Sequence, residues 1–256
     1  MESDLTHNEL LELLRWQFEV GVTETIGEEP INRYKSLPQE KDYASKLSSL
    51  NEEEPNVDPI ALAKLAAESS ETLKDLNSAL ERFEGCDLRE GARNLVFSDG
   101  NYKAEVMIIG EAPGREEDKT GRPFVGPAGQ LLDKMFKAID YQRFSENNSL
   151  YITNVIPWRP PQNRSPTEAE INLLKPFLVK HIDLIKPEII VLMGNTPCQA
   201  LLGKSGITKL RGQWMEFSGY TVLPMFHPAY LLRVPSAKKE TWEDLKMLKK
   251  KLEESR

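Results

Sequence analysis

Val106-Met-Ile-Ile-Gly-Glu-Ala-Pro-Gly-Arg-Glu-Glu-Asp118 passes from four apolar residues straight into a loop of glycine, proline and carboxylates, and the fold follows from how that junction is read. A short apolar run closed by Gly110 suits a strand buried on both faces, as in a parallel sheet. In open α/β sheets the ligand crevice lies beyond the carboxyl ends of such strands, which would put Glu111 and Glu117 at the lip of a site. An ordinary strand-to-loop turn with solvated acids fits the same thirteen residues, so the rest of the chain has to decide.

Working outward, the neighbouring segments repeat the pattern. Asn94-Leu-Val-Phe reads as a short strand ended by Ser98-Asp-Gly100, and Leu150-Tyr-Ile-Thr-Asn-Val-Ile156 and Ile189-Ile-Val-Leu-Met193 read as two more. A hairpin turning at Ser218-Gly219 delivers the chain to Phe226-His227. Helical patterns alternate with these strands, among them Leu131 to Ile139, Thr167 to Ile185 with Thr167 and Glu170 in capping-box spacing, and Thr241 to Glu254. Strands alternating with helices define an α/β fold. On that fold Glu111, Asn154 and His227 each follow a strand, and all face one crevice.

Size and charge divide the chain. Its 256 residues, 39% of them hydrophobic, suffice for one good core with a segment left over. Of 33 Lys+Arg and 40 Asp+Glu, residues 1–82 hold 8 and 18, a net of −10, which leaves 25 and 22, or +3, for residues 83–256. An acidic extension over 1–82 and a mildly basic body over 83–256 follow, and that body is compatible with a phosphate-bearing partner. In the extension, residues 10–20 carry apolar residues at helical spacing, 27–59 read as a proline-broken flexible connector, and a helix opens at Pro59 and continues towards Phe83. Neither a secretory signal nor an apolar run of membrane-spanning length is visible, so a cytoplasmic protein without membrane contact is expected. Two cysteines, Cys86 and Cys198, without CxxC spacing, indicate neither a disulfide framework nor a zinc module.

The loops carry the chemistry. Phe124 sits in Thr120-Gly-Arg-Pro-Phe-Val-Gly-Pro-Ala-Gly-Gln130, where it serves as a core plug or as a flat platform for a base. Prolines in Pro157-Trp-Arg-Pro-Pro-Gln-Asn-Arg-Ser-Pro166 hold Arg159, Asn163 and Arg164 extended, with little entropy left to lose on meeting phosphates. A carboxylate, a carboxamide, an imidazole and an aromatic ring together suit a flat polar base. An Asn side chain answers the adjacent N3–H and O4 of uracil at once, and a His N–H supports charge growing on O2. The nucleotide would leave the duplex stack to reach them. Leu231, Leu232 and Arg233 could fill the gap it leaves.

These segments resemble the family 4 uracil-DNA glycosylases. The likeness covers residues 83 to about 252, through Gly110-Glu-Ala-Pro-Gly114 with Glu117-Asp118, Gly121-Arg-Pro-Phe-Val-Gly126, Thr153-Asn154, Arg159-Pro-Pro-Gln-Asn-Arg164, Lys209-Leu-Arg-Gly212 and His227-Pro-Ala-Tyr230. It implies a three-layer α/β/α sandwich around a four-stranded parallel sheet, and a monomer that hydrolyses the bond between uracil and deoxyribose in DNA. By position, Asn154 and His227 would contact uracil together with Gly110 and Ala112. Phe124 would stack on the base, and Glu117 would stand where thymine's methyl must be refused. Glu111, supported by Asn163, would orient water, although Glu117 fits that role from the sequence as well. Arg159, Arg164, Arg211, Leu231, Leu232 and Arg233 would meet DNA.

The resemblance also implies a [4Fe-4S] cluster on four cysteines, and here the sequence departs from it. The cluster positions fall on Phe83, Cys86, Trp158 and Leu174, while Cys198 lies elsewhere. Cluster ligation needs its thiolates, so a form with no cofactor and no metal is expected, with apolar residues filling the volume. Two alternatives stand beside uracil excision: a glycosylase for hypoxanthine or xanthine, and a catalytically silent damaged-DNA binding module whose acidic extension docks on a repair or replication protein.

Overall fold

The computed structural model describes residues 58–255 together with Trp16. In chain order the elements are α1 (Pro59–Glu68), α2 (Leu73–Arg82), α3 (Leu88–Gly91), β1 (Asp99–Gly100), β2 (Val106–Gly110), α4 (Arg115–Thr120), α5 (Pro127–Lys137), β3 (Leu150–Asn154), α6 (Glu168–Ile185), β4 (Ile189–Met193), α7 (Asn195–Leu202), α8 (Ile207–Leu210), β5 (Met215–Phe217), β6 (Tyr220–Met225), α9 (Pro228–Arg233) and α10 (Lys238–Glu254). The helix expected over 10–20, most of the connector over 27–59 and any docking role of the extension lie outside the described residues.

One sheet runs in the order β1-β3-β2-β4-β6-β5. The expected four-stranded sheet is therefore corrected to six strands. Its inner four, β3, β2, β4 and β6, are mutually parallel, and the two edges are antiparallel additions, β1 on β3 and β5 on β6. The sequence reading missed the first of those edges and found the second. Asn94 to Phe97 is not a strand: its backbone is held by Val96 N–H donating to the Pro157 carbonyl and by Thr153 Oγ1 donating to the Phe97 carbonyl, and the ladder begins only at Asp99. The hairpin was legible, because Ser218 and Gly219 take the positive φ values of 49° and 87° that a tight two-residue turn requires.

The period of two along each strand builds the layers. Met107, Ile109, Tyr151, Ile190, Leu192 and Val222 face one apolar cluster with α1, α2, α6 and α7. Val106, Ile108, Ile152, Val191, Leu223 and Met225 face the other with α5 and α10. The result is an α/β/α sandwich, and β2, β3 and β4 are buried at every position.

The helix expected from Pro59 towards Phe83 is two helices. Ser69 and Ser70 turn their hydroxyls back onto the Ala66 carbonyl, and Thr72 with Asp75 forms a capping box that starts α2. Both helices bury residues in the sheet's own cluster, Ala63, Ala67, Leu76 and Leu80. The compact unit runs from Val57 to Arg256, so residues 59–82 pack with the body and the boundary drawn at 83 moves to 57. Among the described residues no helix is long and apolar enough to cross a membrane.

Candidate active site

Parallel strands bring their carboxyl ends to one edge. Gly110 of β2 and Asn154 of β3 are register partners there. A Cβ on Gly110 would stand 2.4 Å from Asn154 Oδ1 and 2.6 Å from the Phe124 ring, so glycine is what lets carboxamide and ring close over the strand end. Asn154 is 6% exposed, and its Oδ1 is a buried oxygen without a hydrogen-bond partner among the described residues. Buried acceptors are ordinarily satisfied, and one left open at a strand end marks a place for a ligand donor.

His227 follows β6 and caps α9. The Ala229 N–H donates to its Nδ1 at 3.1 Å, so Nδ1 carries the lone pair and Nε2 the proton. The ring keeps some surface on the cavity but lies deep among protein atoms, and that desolvation pushes its pKa down to about 4; Arg233 adds to the shift and Glu117 opposes it. At neutral pH His227 is an uncharged donor. It sits 5.5 Å from Phe124, ring to ring, at an interplanar angle of 31°.

Phe124 is 6% exposed and takes a φ of +54°, a conformation bulky residues rarely adopt. Glu117 explains part of this. Its Oε1 accepts from the Val125 and Gly126 amides at 2.9 and 2.8 Å, pinning the loop that carries the ring. Glu111 is held differently: Thr196, in the first turn of α7, donates its hydroxyl to Oε2 at 2.5 Å. Asp118 is buried and accepts from the Arg93 amide at 2.8 Å, a tie between two loops.

These residues enclose a cavity of about 210 Å³ lined by Glu111, Ala112, Glu117, Phe124, Asn154, Asn163, Arg164 and His227, among others. That is below the range of pockets for drug-sized ligands and suits one small ring. A second cavity of about 390 Å³ shares Glu111, Ala112, Asn163 and His227 and continues to Tyr230 and Arg233. The two together form a pocket with an open approach.

The rim residues divide. Arg159 donates to Asn163 Oδ1 at 2.7 Å, and Asn163 takes a φ of +56° in the proline-rich loop. Arg164 lines the cavity, but its guanidinium forms a two-pronged pair with Glu170 at 2.9 and 2.5 Å, which pulls the Glu170 carboxyl down to about 2. Arg211, expected at DNA, forms a structural tie. Its guanidinium bonds both oxygens of the buried Asp244 and the Glu240 carbonyl, fixing α10 to the turn before β5. Leu231, expected as a wedge, is 1% exposed and packs with Phe226 and Ala237, whereas Leu232 is 46% exposed. On the short helix α9 adjacent leucines point to opposite sides, and only the second faces out.

Two contributors had not been singled out. Thr196 stands three residues beyond β4, so the strand-end rule that found Glu111, Asn154 and His227 extends to it. Arg143 lies in an irregular connection before β3, with no motif to mark it, yet it donates to the carbonyls of Pro123 and Phe124 at 2.9 and 2.5 Å.

The four positions at which the resemblance implies cluster cysteines do not fit an iron–sulfur group. Phe83, Cys86, Trp158 and Leu174 are all buried in one apolar cluster, and Phe83 meets Phe177 edge-on at 5.2 Å. One thiol is present where four are needed, and burial raises its pKa. Among the described residues no three or more His, Cys, Asp or Glu are grouped to hold a metal ion.

Comparison with known proteins identifies the family. Residues 97–246 match the Uracil DNA glycosylase superfamily. The type-4 uracil-DNA glycosylase of Sulfurisphaera tokodaii is 39% identical over 188 residues, 70% of this chain and 84% of that protein. Its counterpart in Thermotoga maritima is 39% identical over 166 residues, 64% and 84% of the two chains. The Archaeoglobus fulgidus type-4 enzyme is 36% identical over 187 residues, 70% and 92%. With a matching profile over more than half its length and relatives of this extent, the chain belongs to the uracil DNA glycosylase superfamily.

Proposed function

We propose that the protein is a DNA repair glycosylase that takes uracil out of the duplex stack, hydrolyses its N-glycosidic bond and leaves an abasic site. The observation that carries this is that Asn154, whose Oδ1 has no hydrogen-bond partner among the described residues, lines the same small cavity as the neutral His227 and the Phe124 ring. Asn154 would accept from uracil N3–H and donate to O4, while Phe124 stacks on the ring. Glu117, braced by two backbone amides, would close the ring edge that in thymine bears a methyl group.

The reaction we infer is a dissociative displacement. As the bond from the anomeric carbon to N1 breaks, the sugar gains positive charge and uracil leaves as an anion. The His227 Nε2–H meets the charge growing on O2 with a donor already oriented by the Ala229 amide, so no reorganisation is needed at that moment. Glu111 is the better of the two carboxylates to orient water: one oxygen is anchored by Thr196, and the residue lines both cavities. Glu117 is committed to its loop. Asn163, beside Glu111 in both cavities, would support the water. The exposed Leu232 and Arg233 would occupy the gap in the duplex, with Arg159 and Arg164 near the phosphates.

We also propose that the protein works without an iron–sulfur cluster, the apolar side chains of Phe83, Trp158 and Leu174 replacing the tie it would make. Anaerobically purified protein should carry far less than one cluster's iron and acid-labile sulfide per chain; stoichiometric amounts of both would overturn this. The activity is tested with DNA bearing one uracil, thymine, hypoxanthine or xanthine, followed by alkaline cleavage of abasic sites. Cutting at uracil well ahead of the other three is expected. Cutting mainly at hypoxanthine or xanthine would move the substrate, and no cutting at any base would favour a silent binding module.

A further inference from the structure

We infer that Arg143 is a positioning residue for the base platform, holding the peptide groups on either side of the Phe124 Cα so that the ring lies over Gly110. The inference rests on the reading of Phe124 as the surface on which the base stacks. The Arg143 side chain is 10% exposed, and each of its three guanidinium nitrogens donates. Nη1 donates to Asp99 Oδ2 at 2.6 Å and to the Pro123 carbonyl at 2.9 Å, Nη2 to the Phe124 carbonyl at 2.5 Å, and Nε to Asp133 Oδ1 at 2.9 Å.

The loop is thus gripped from two sides. A cation holds the carbonyls of residues 123 and 124, and the Glu117 carboxylate holds the amides of residues 125 and 126. Such a grip is what the backbone requires, because a bulky residue at φ +54° persists only where its surroundings over-determine it. The third support is α5. A Cβ on Gly129 would stand 1.7 Å from the Phe124 carbonyl oxygen, so the helix backbone lies directly behind that oxygen. Without Arg143 the carbonyl loses its charged donor while α5 still crowds it. The peptide then relaxes towards negative φ, and the ring leaves the strand end.

The test compares Arg143→Gln, Arg143→Lys, Phe124→Ala and the double variants on uracil-containing DNA, together with hydrogen exchange of the Val125 and Gly126 amides. Loss of a stacking surface that serves ground and transition states alike raises KM and leaves kcat nearly unchanged. Arg143→Gln should therefore lose about 10-fold in kcat/KM through KM, in line with what one base–aromatic contact contributes. It should add nothing in the Phe124→Ala background. Arg143→Lys keeps the charge beside Asp99 without the two-pronged reach, so it should restore stability but not KM; should the Gln variant fail to fold, Lys carries the test. Exchange at Val125 and Gly126 should quicken at least about 10-fold, following the loosened loop. An unchanged KM in the folded fraction, or effects that add to those of Phe124→Ala, would show a general structural role and overturn the inference. Unchanged exchange would overturn the grip itself, and that arm needs no uracil. A wild-type protein that releases no uracil would instead overturn the functional reading.

Discussion

At the scale of single residues the site depends on small choices with large steric or electrostatic consequences. Gly110→Ala places a methyl group against both Asn154 and Phe124, each under 3 Å away. We expect uracil excision to fall at least 100-fold, since about 1 Å of displacement at reacting groups can cost that much, with circular dichroism unchanged. His227 gives a spectroscopic prediction. Its imidazole nitrogens should report Nδ1 bare and Nε2 protonated from pH 8 down to pH 5, because desolvation holds its pKa at about 4. A ring half-protonated near pH 6.5 would contradict the neutral donor. The same shift sets a direction for stability. Between about 6.5, the unfolded value, and about 4 the unfolded chain binds the proton and the folded chain does not. Stability is therefore full above pH 6.5 and falls as the pH drops towards 4. His181, buried against Tyr151 and Phe97 with its pKa near 3, acts in the same sense. Glu111, Asn154 and His227 were legible because each ends a strand. The orphaned Asn154 oxygen and the histidine tautomer were not, since both depend on which neighbours three-dimensional packing supplies.

At the scale of elements, the residues expected at the DNA surface divide. The resemblance implied a DNA contact for Arg211, and nothing local in the sequence shows its partners in the fold, which are more than 25 residues downstream on α10. Arg211→Met should cost about 3–5 kcal/mol of stability, because Asp244 is left buried and uncompensated, while the salt dependence of DNA binding stays as it was. A reduced salt slope with stability intact would restore Arg211 to the DNA surface. The two leucines of α9 divide similarly. Leu231→Ala should destabilise by about 2–5 kcal/mol as a core cavity, and Leu232→Ala should leave stability within about 0.5 kcal/mol while weakening binding to uracil-containing duplex. Capping boxes, by contrast, are local. Thr167 with Glu170 was readable directly, whereas Thr72 with Asp75 went unnoticed inside an apparently continuous helical run.

For the whole molecule, alternation of strand and helix was enough to give an α/β fold, because the period of two in strands and the helical stripes that cover them are properties of sequence. The edge strand β1 and the packing of residues 59–82 with the body were not, as both depend on long-range contacts. β1 has only two residues, and α1 and α2 resemble an arm until Ala63, Ala67, Leu76 and Leu80 are seen in the sheet's core. Removing residues 1–56 should therefore leave a cooperatively folding unit, whereas removing 1–82 should lower the denaturant midpoint by uncovering the part of that side that α1 and α2 cover. Equal stability of the two truncations would return the boundary to residue 83. The account's central claim is that the cavity at the strand ends reads uracil through Asn154 and expels it as an anion. Single-turnover release of free uracil from DNA carrying one uracil, by the wild type and by Asn154→Ala, tests this most directly. The account predicts release by the wild type and a loss of at least about 100-fold in the variant, as for removal of one preorganised polar contact from a transition state; no release by the wild type, or release by Asn154→Ala at the wild-type rate, would contradict it.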